Sequence, residues 1–206
     1  MILNQWFTQT IRQFYLFLYI PYIIYLLVKI TLFLYLCSQN LKSMKEEWFP
    51  LVNEEGEIIG KATRKECHGG SKMLHPVVHL HIFNDAGDLY LQKRSMNKDI
   101  QPGKWDTAVG GHIDYGETVE DALRREVREE LGITDFIPQF ITRYVFESAI
   151  EKELVNTYRT TYDGPITPDP SELDGGRFWS STEILENIGK EVFTPNFERE
   201  YKRLFM

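Results

Sequence analysis

Three carboxylates, Glu126, Glu129 and Glu130, fall at spacings of three and four residues in the stretch VEDALRREVREEL. In a helix such spacings bring side chains onto neighbouring positions of successive turns. Val119, Ala122, Leu123, Val127 and Leu131 recur with the helical period and define an apolar arc. Glu126 and Glu130 project inside that arc and Glu129 at its edge, while Asp121, Arg124 and Arg128 lie opposite. A carboxylate on a buried face is costly unless it is paired or metal-bound. An oxygen-rich cluster of this kind suits a hard cation such as Mg²⁺. The competing role is salt bridging to Arg124, Arg125 and Arg128, which mostly point elsewhere on the wheel.

Those carboxylates need a positioned helix. Thr118 is a natural N-cap with Asp121 three residues on, and Gly132 stands just past the last apolar residue, so the pattern predicts a helix over 118–131. Upstream, residues 48–53 and 58–63 read as a hairpin, 76–83 and 89–93 as strands around an Asn-Asp-Ala-Gly-Asp turn, and 105–109 as a strand leading to Gly110-Gly111. Downstream, 139–147, 154–162 and 177–180 read as strands, and 182–187 and 196–204 as closing helices. Strands mixed with few helices imply an α/β or α+β layered domain. His79 and His81 alternate with Val78, Leu80 and Ile82 and so share the more polar strand face, as ordinary residues of it or as the lining of a pocket. Trp105 and Trp179 read as core.

Residues 111–133, GHIDYGETVEDALRREVREELGI, resemble the Nudix box of the hydrolases that act on nucleoside diphosphates linked to another moiety. Gly111, Glu117, Arg125, Glu126, Val127, Glu129, Glu130, Gly132 and Ile133 all stand at the spacing of that motif. The resemblance implies an α/β/α sandwich with a mixed β-sheet and a loop–helix–loop catalytic motif. It implies that Glu126, Glu129 and Glu130 bind Mg²⁺ or Mn²⁺ together with the Gly111 carbonyl. It also makes Glu117 and Arg125 a structural ion pair.

The stretches LHPVVHLHIFN and KRSMNKDIQPGKWDTAVGGH extend the similarity, over about residues 48–185, to the subgroup related to isopentenyl-diphosphate isomerase. By that resemblance His68, His75, His112, Glu151 and Glu153 match a second metal site, and Arg94 and Lys98 match diphosphate-contacting cations. The isomerase needs a Cys before its Gly-His, and Gly110 stands there instead. A carbon-acid reaction without that group is hard to support, and the box is intact, so both features point to hydrolysis. The implied enzyme is a metal-dependent diphosphate hydrolase, with Glu129 the first candidate for the proton-accepting base and Glu130 the second. An isomerase-like enzyme and a nucleotide-binding module without turnover are the alternatives.

The rest of the 206-residue sequence bounds these readings. Two cysteines, Cys37 and Cys67, are too few for a disulfide framework, and a net charge of −7 gives no overall basic field for nucleic acid. Residues 1–45 carry Arg12, Lys29, Lys42 and Lys45 and no acid, and residues 14–36 form a 23-residue apolar run interrupted by Pro21 and Lys29. Such a run is long enough to cross a bilayer as a helix. It is equally what AT-rich DNA gives when read from a start upstream of Met44. The division expected is therefore a hydrophobic segment over 1–43, anchor or mis-assigned start, followed by the Nudix-type domain over 44–206. The expected partner is a small-molecule diphosphate, with a second copy of the chain as a further one. The expected location is cytoplasmic, at a membrane only if residues 1–43 are translated.

Overall fold

The computed structural model describes residues 22–33, 46–98 and 100–206. The chain divides into two units, Met1–Glu46 and Glu47–Met206. Of the first, residues 22–33 form a helix (α1) exposed along its length, and the remainder of the predicted 14–36 span lies outside the described residues. Among the described residues no helix is long and apolar enough to cross a membrane.

The second unit is built on β3 (Leu74–Phe83), a ten-residue strand buried at all but its two end positions. Along one edge it runs parallel to β8 (Lys152–Thr161), in register from Leu74↔Lys152 to Phe83↔Thr161. Its other edge is shared. Residues 77–80 pair antiparallel with β6 (Val109–His112), and Ile82 and Phe83 pair with β4 (Leu89–Arg94). Beyond β4 lie β5 (Trp105–Thr107) and β9 (Leu173–Trp179), and β7 (Gln139–Glu147) flanks β8. The sequence reading starts β8 at residue 154, two residues late, because pairing along the whole of β3 carries the strand back to Lys152. It also starts β9 late, because Asp174-Gly175-Gly176 lacks the alternation that marks a strand.

Helices cover both faces of this sheet, giving the expected α/β/α sandwich. On one face α3 (Val119–Leu131) sets Ala122, Leu123, Val127 and Leu131 against Val78, Leu80 and Ile82. Thr118 caps it by accepting from the Asp121 amide at 3.2 Å, and Gly132 ends it at φ 69°, a left-handed conformation that costs glycine little. On the other face α4 (Ser181–Asn187) and α5 (Pro195–Phe205) bring Ile184, Phe197 and Tyr201 against Leu89, Leu91 and Trp179. Apart from the main sheet, β1 (Trp48–Val52) and β2 (Ile58–Thr63) form a hairpin. A helical turn, α2 (Arg64–Glu66), and a wide turn over Cys67–Ser71 follow it. The hairpin is tied to the loop after β6 by the Tyr115 amide donating to the Trp48 carbonyl at 2.7 Å.

One expectation is corrected. His79 and His81 do not line a solvated polar face. They are 7 % and 0 % exposed, because α5 lies over that face of β3 and brings Glu200 against both rings. The alternation of β3 is real, but both of its faces are covered.

Phe197 is fully buried between Phe193 and Tyr201, at the centre of the α5 contact. Phe197→Ala is expected to destabilise the folded unit by about 3–5 kcal/mol, read as a lowered denaturant midpoint at unchanged slope.

Candidate active site

Arg125 organises the loop between β6 and α3. Its Nε and Nη2 donate to the two oxygens of Glu117, each at 2.9 Å, and Nη2 also donates to the His112 carbonyl at 2.9 Å. Its Nη1 donates to Glu126 at 2.7 Å and lies 3.5 Å from Glu129. Of the three arginines read as mostly pointing elsewhere on the wheel, Arg125 thus reaches two of the three helix carboxylates, since its long stem can fold along the helix. Its hydrogen bonds to Glu117, opposed by burial, raise its pKa, and burial of Glu117 is outweighed so that this carboxyl sits below its ordinary value.

Glu126 lies directly on the backbone of Gly111. A Cβ at that position would come within 2.1 Å of the Glu126 carboxyl carbon, so only glycine leaves room for it. Burial raises the pKa of Glu126 against the pull of Arg125. Glu130 is more deeply enclosed. Its Oε2 is buried with no hydrogen-bond partner, and burial followed by the charge of Glu126 pushes its pKa well above the usual carboxylate range. Lys98 and the Gly110 amide oppose that shift. Glu129 sits at the edge with 44 % of its side chain exposed. An orphaned carboxylate oxygen beside a second buried glutamate is costly for a bare protein. The same donors, all oxygen, fit a hard divalent cation.

Of the two basic residues expected on the diphosphate, Arg94 donates to the Ile100 carbonyl at 2.9 and 3.2 Å and lies 3.4 Å from Asp106. Lys98 is paired with Glu172.

His68, His75 and His112 come from three separate elements. The turn after α2 carries His68, β3 carries His75 and β6 carries His112. Their ligating nitrogens all lie within 4.8 Å of one another, the one group of three or more His, Cys, Asp or Glu among the described residues that converges so closely. His68 Nε2 and His112 Nε2 are 2.9 Å apart, and His75 Nε2 is buried without a partner. Burial, then Arg64 and the neighbouring rings, depresses His68 to about 4 and His112 well below its ordinary value. Neutral imidazoles with converging lone pairs are what a transition-type cation requires. Glu151 approaches His68 Nε2 to 3.7 Å. Glu153 is in register with His75 across the β3–β8 ladder, and burial followed by Glu151 raises it to about 7. Neither joins the trio within its 4.8 Å circle.

Sequence reasoning misses Phe49, whose ring stacks on His112 at 4.4 Å and on His75 at 5.6 Å and so walls the trio from one side. Its strand reads as half of a hairpin, and nothing in the pattern says what that hairpin covers.

A mixed sheet between helical layers, with a glycine-bearing strand feeding a glutamate-rich helix through an Arg–Glu-locked loop, is the Nudix arrangement. Residues 73–198 match the NUDIX domain, and the chain belongs to that family. It is a hydrolase of the family, whose members act on small molecules and generally use divalent metal ions. It is 45 % identical over 159 residues to an uncharacterized Nudix hydrolase of Listeria innocua, covering 74 % of this chain and 90 % of that one. It is 35 % identical over 129 residues to an isopentenyl-diphosphate Delta-isomerase of Mycolicibacterium vanbaalenii, covering 60 % of this chain and 71 % of that one. The crystal structure of DR0079 from Deinococcus radiodurans superimposes with a TM-score of 0.68 at 26 % identity, covering 78 % of this chain and all of that one.

Glu117→Ala leaves the half-buried Arg125 without its two-pronged partner. A loss of about 1–3 kcal/mol in unfolding free energy is expected. Arg125→Lys is expected not to keep the loop's stability, because a lysine cannot make the forked contact. Thermal and denaturant melts of the two variants check both outcomes.

Proposed function

We propose that the protein is a divalent-cation-dependent hydrolase of a diphosphate bond, in a nucleoside diphosphate linked to another moiety or a related diphosphate. The observation that carries this reading is the buried, partnerless oxygen of Glu130 beside Glu126 on Gly111. Glu126, Glu129, Glu130 and the Gly111 carbonyl would hold Mg²⁺ or Mn²⁺. When bound, such an ion supplies charge neutralisation at the phosphoryl oxygens and acidifies water.

The protein's own groups do the remainder. Glu117 holds Arg125, and Arg125 holds the strand end and Glu126 in place. A proton acceptor works best when its pKa is lifted toward neutrality. Glu129, half exposed at the edge, and Glu130, enclosed with one partnerless oxygen, are the two candidates for that acceptor. Arg94 ends β4 and Lys98 lies on the loop that follows, and Lys98 would exchange Glu172 for phosphate. We propose the imidazole trio with Glu151 and Glu153 as a second metal site, on the strength of the partnerless His75 Nε2. Every residue in this scheme lies within 44–206, so we assign the activity to that part alone.

Isomerisation is the second reading, favoured by the trio and by the isomerase relative. The absence of any acid–base side chain at Gly110 weighs against it.

The test is a screen of diphosphate compounds with Mg²⁺ or Mn²⁺, reading released phosphate or nucleotide. Turnover that chelation abolishes is expected, and Glu130→Gln is expected to lower it about a hundredfold or more with the fold intact. No turnover on any diphosphate, or clear interconversion of the two five-carbon isoprenoid diphosphates, overturns the reading.

A further inference from the structure

On the sheet face opposite α3, a set of ionisable groups has no part in the scheme above. Glu200 reaches in from α5 with its side chain wholly buried. One of its oxygens accepts from Thr157 Oγ1 at 2.7 Å. The other lies 2.8 Å from His79 Nδ1, 3.4 Å from His81 Nε2 and 3.4 Å from Thr107 Oγ1. A carboxylate so enclosed needs a cation against it, and His79 is the nearest. Burial works against the charge on His79, but Glu200 at contact distance, with Glu153 and Asp106 beyond it, lifts its pKa to about 9. Nδ1 is committed to Glu200.

The other ring nitrogen is not committed. His79 Nε2 has no hydrogen-bond partner among the described residues, although the residue is 93 % buried by its 7 % exposure. The edge carrying it faces Gly110, its cross-strand neighbour. A methyl group built on Gly110 would lie 3.6 Å from His79 Cδ2 and 3.7 Å from Nε2, with nothing else within 4 Å. Gly110 itself is exposed. A side chain at position 110 would therefore lie against the Nε2 edge of the His79 ring, which glycine leaves uncovered. Among the described strands β6 pairs with β3 alone. The two glycines adjoin along this strand, Gly111 against Glu126 and Gly110 against His79.

We propose that His79, oriented by Glu200, is an oxyanion-binding group at the floor of the Gly110 opening, and that it takes a phosphoryl oxygen of the diphosphate substrate. The assignment of the ligand rests on the hydrolase reading above. A tie that only fastens α5 to the sheet would give the same Glu200 contacts, but it would not respond to ligand.

The experiment is a titration of the full chain, with ¹⁵N-labelled histidine and ¹⁵N backbone amides, with inorganic pyrophosphate and Mg²⁺. The His79 Nε2 signal is expected to move together with the Gly111 amide. Gly110→Val covers the imidazole edge at an extended strand position without touching the His79–Glu200 pair. It is expected to abolish the His79 response and weaken pyrophosphate about tenfold or more with the melting temperature kept. If the Gly111 amide moves and His79 does not, or if Gly110→Val binds pyrophosphate as the natural chain does, this inference is overturned and the hydrolase reading stands. If neither signal moves, the diphosphate reading falls and takes this inference with it. The titration of the unsubstituted chain decides even where Gly110→Val fails to fold.

Discussion

The guanidinium of Arg125 is the fixed point around which the carboxylate region is arranged. It gathers Glu117, the His112 carbonyl and Glu126 into one half-buried contact. Without it, Glu126 would be an acid pressed into an apolar helix face beside Glu130 with no cation against it. With it, the strand end, the loop and the helix form one rigid piece. The remaining electrostatic cost collects on Glu130, the acid Arg125 does not reach. Stability and chemistry are thus set against each other at neighbouring positions. One glutamate is neutralised by the protein, and the other is left for something else to neutralise.

Strand β6 serves two faces at once. Successive side chains on a strand point to opposite sides, so Gly111 turns toward α3 while Gly110 and His112 turn toward the face covered by α5 and the β1–β2 hairpin. At Gly111 the missing Cβ is filled by Glu126, and at Gly110 it is left open over His79. Of these consecutive glycines one makes room for an acid and the other leaves an imidazole edge uncovered. The two clusters of ionisable residues are brought close by one strand only four residues long.

The parts legible in the sequence were those with local periodicity or fixed spacing. The helix over 119–131, its Thr118 cap and its Gly132 end could be read because propensity, capping and pattern agree there. That Glu126 and Gly111 meet could be expected because the spacing of the box is fixed. What could not be read was tertiary cover. Glu200 stands among several charged residues of PNFEREYKRLF, and nothing local marks it as the acid that turns inward. His79 and His81 therefore read as a polar face, when their partner lay more than a hundred residues away. Phe49 and Arg125 show the same limit at shorter range. A strand pattern gives the face on which a ring lies, not what it stacks against, and a helical wheel gives the direction of Cβ, not the end of an arginine.

The parallel pairing of β3 with β8 bears on how the protein is made. Paired residues of the two strands lie about eighty positions apart in the chain, and ten consecutive pairs depend on bringing them together. Closing so long a loop costs entropy before any pair is formed, so sheets of this topology assemble late and slowly. Until then β3 is a strand with three histidines and no stable neighbour on one edge. The His79–Glu200 pair is in place only after α5 has docked on β3. A ligand response at His79 would thus report that α5 is docked.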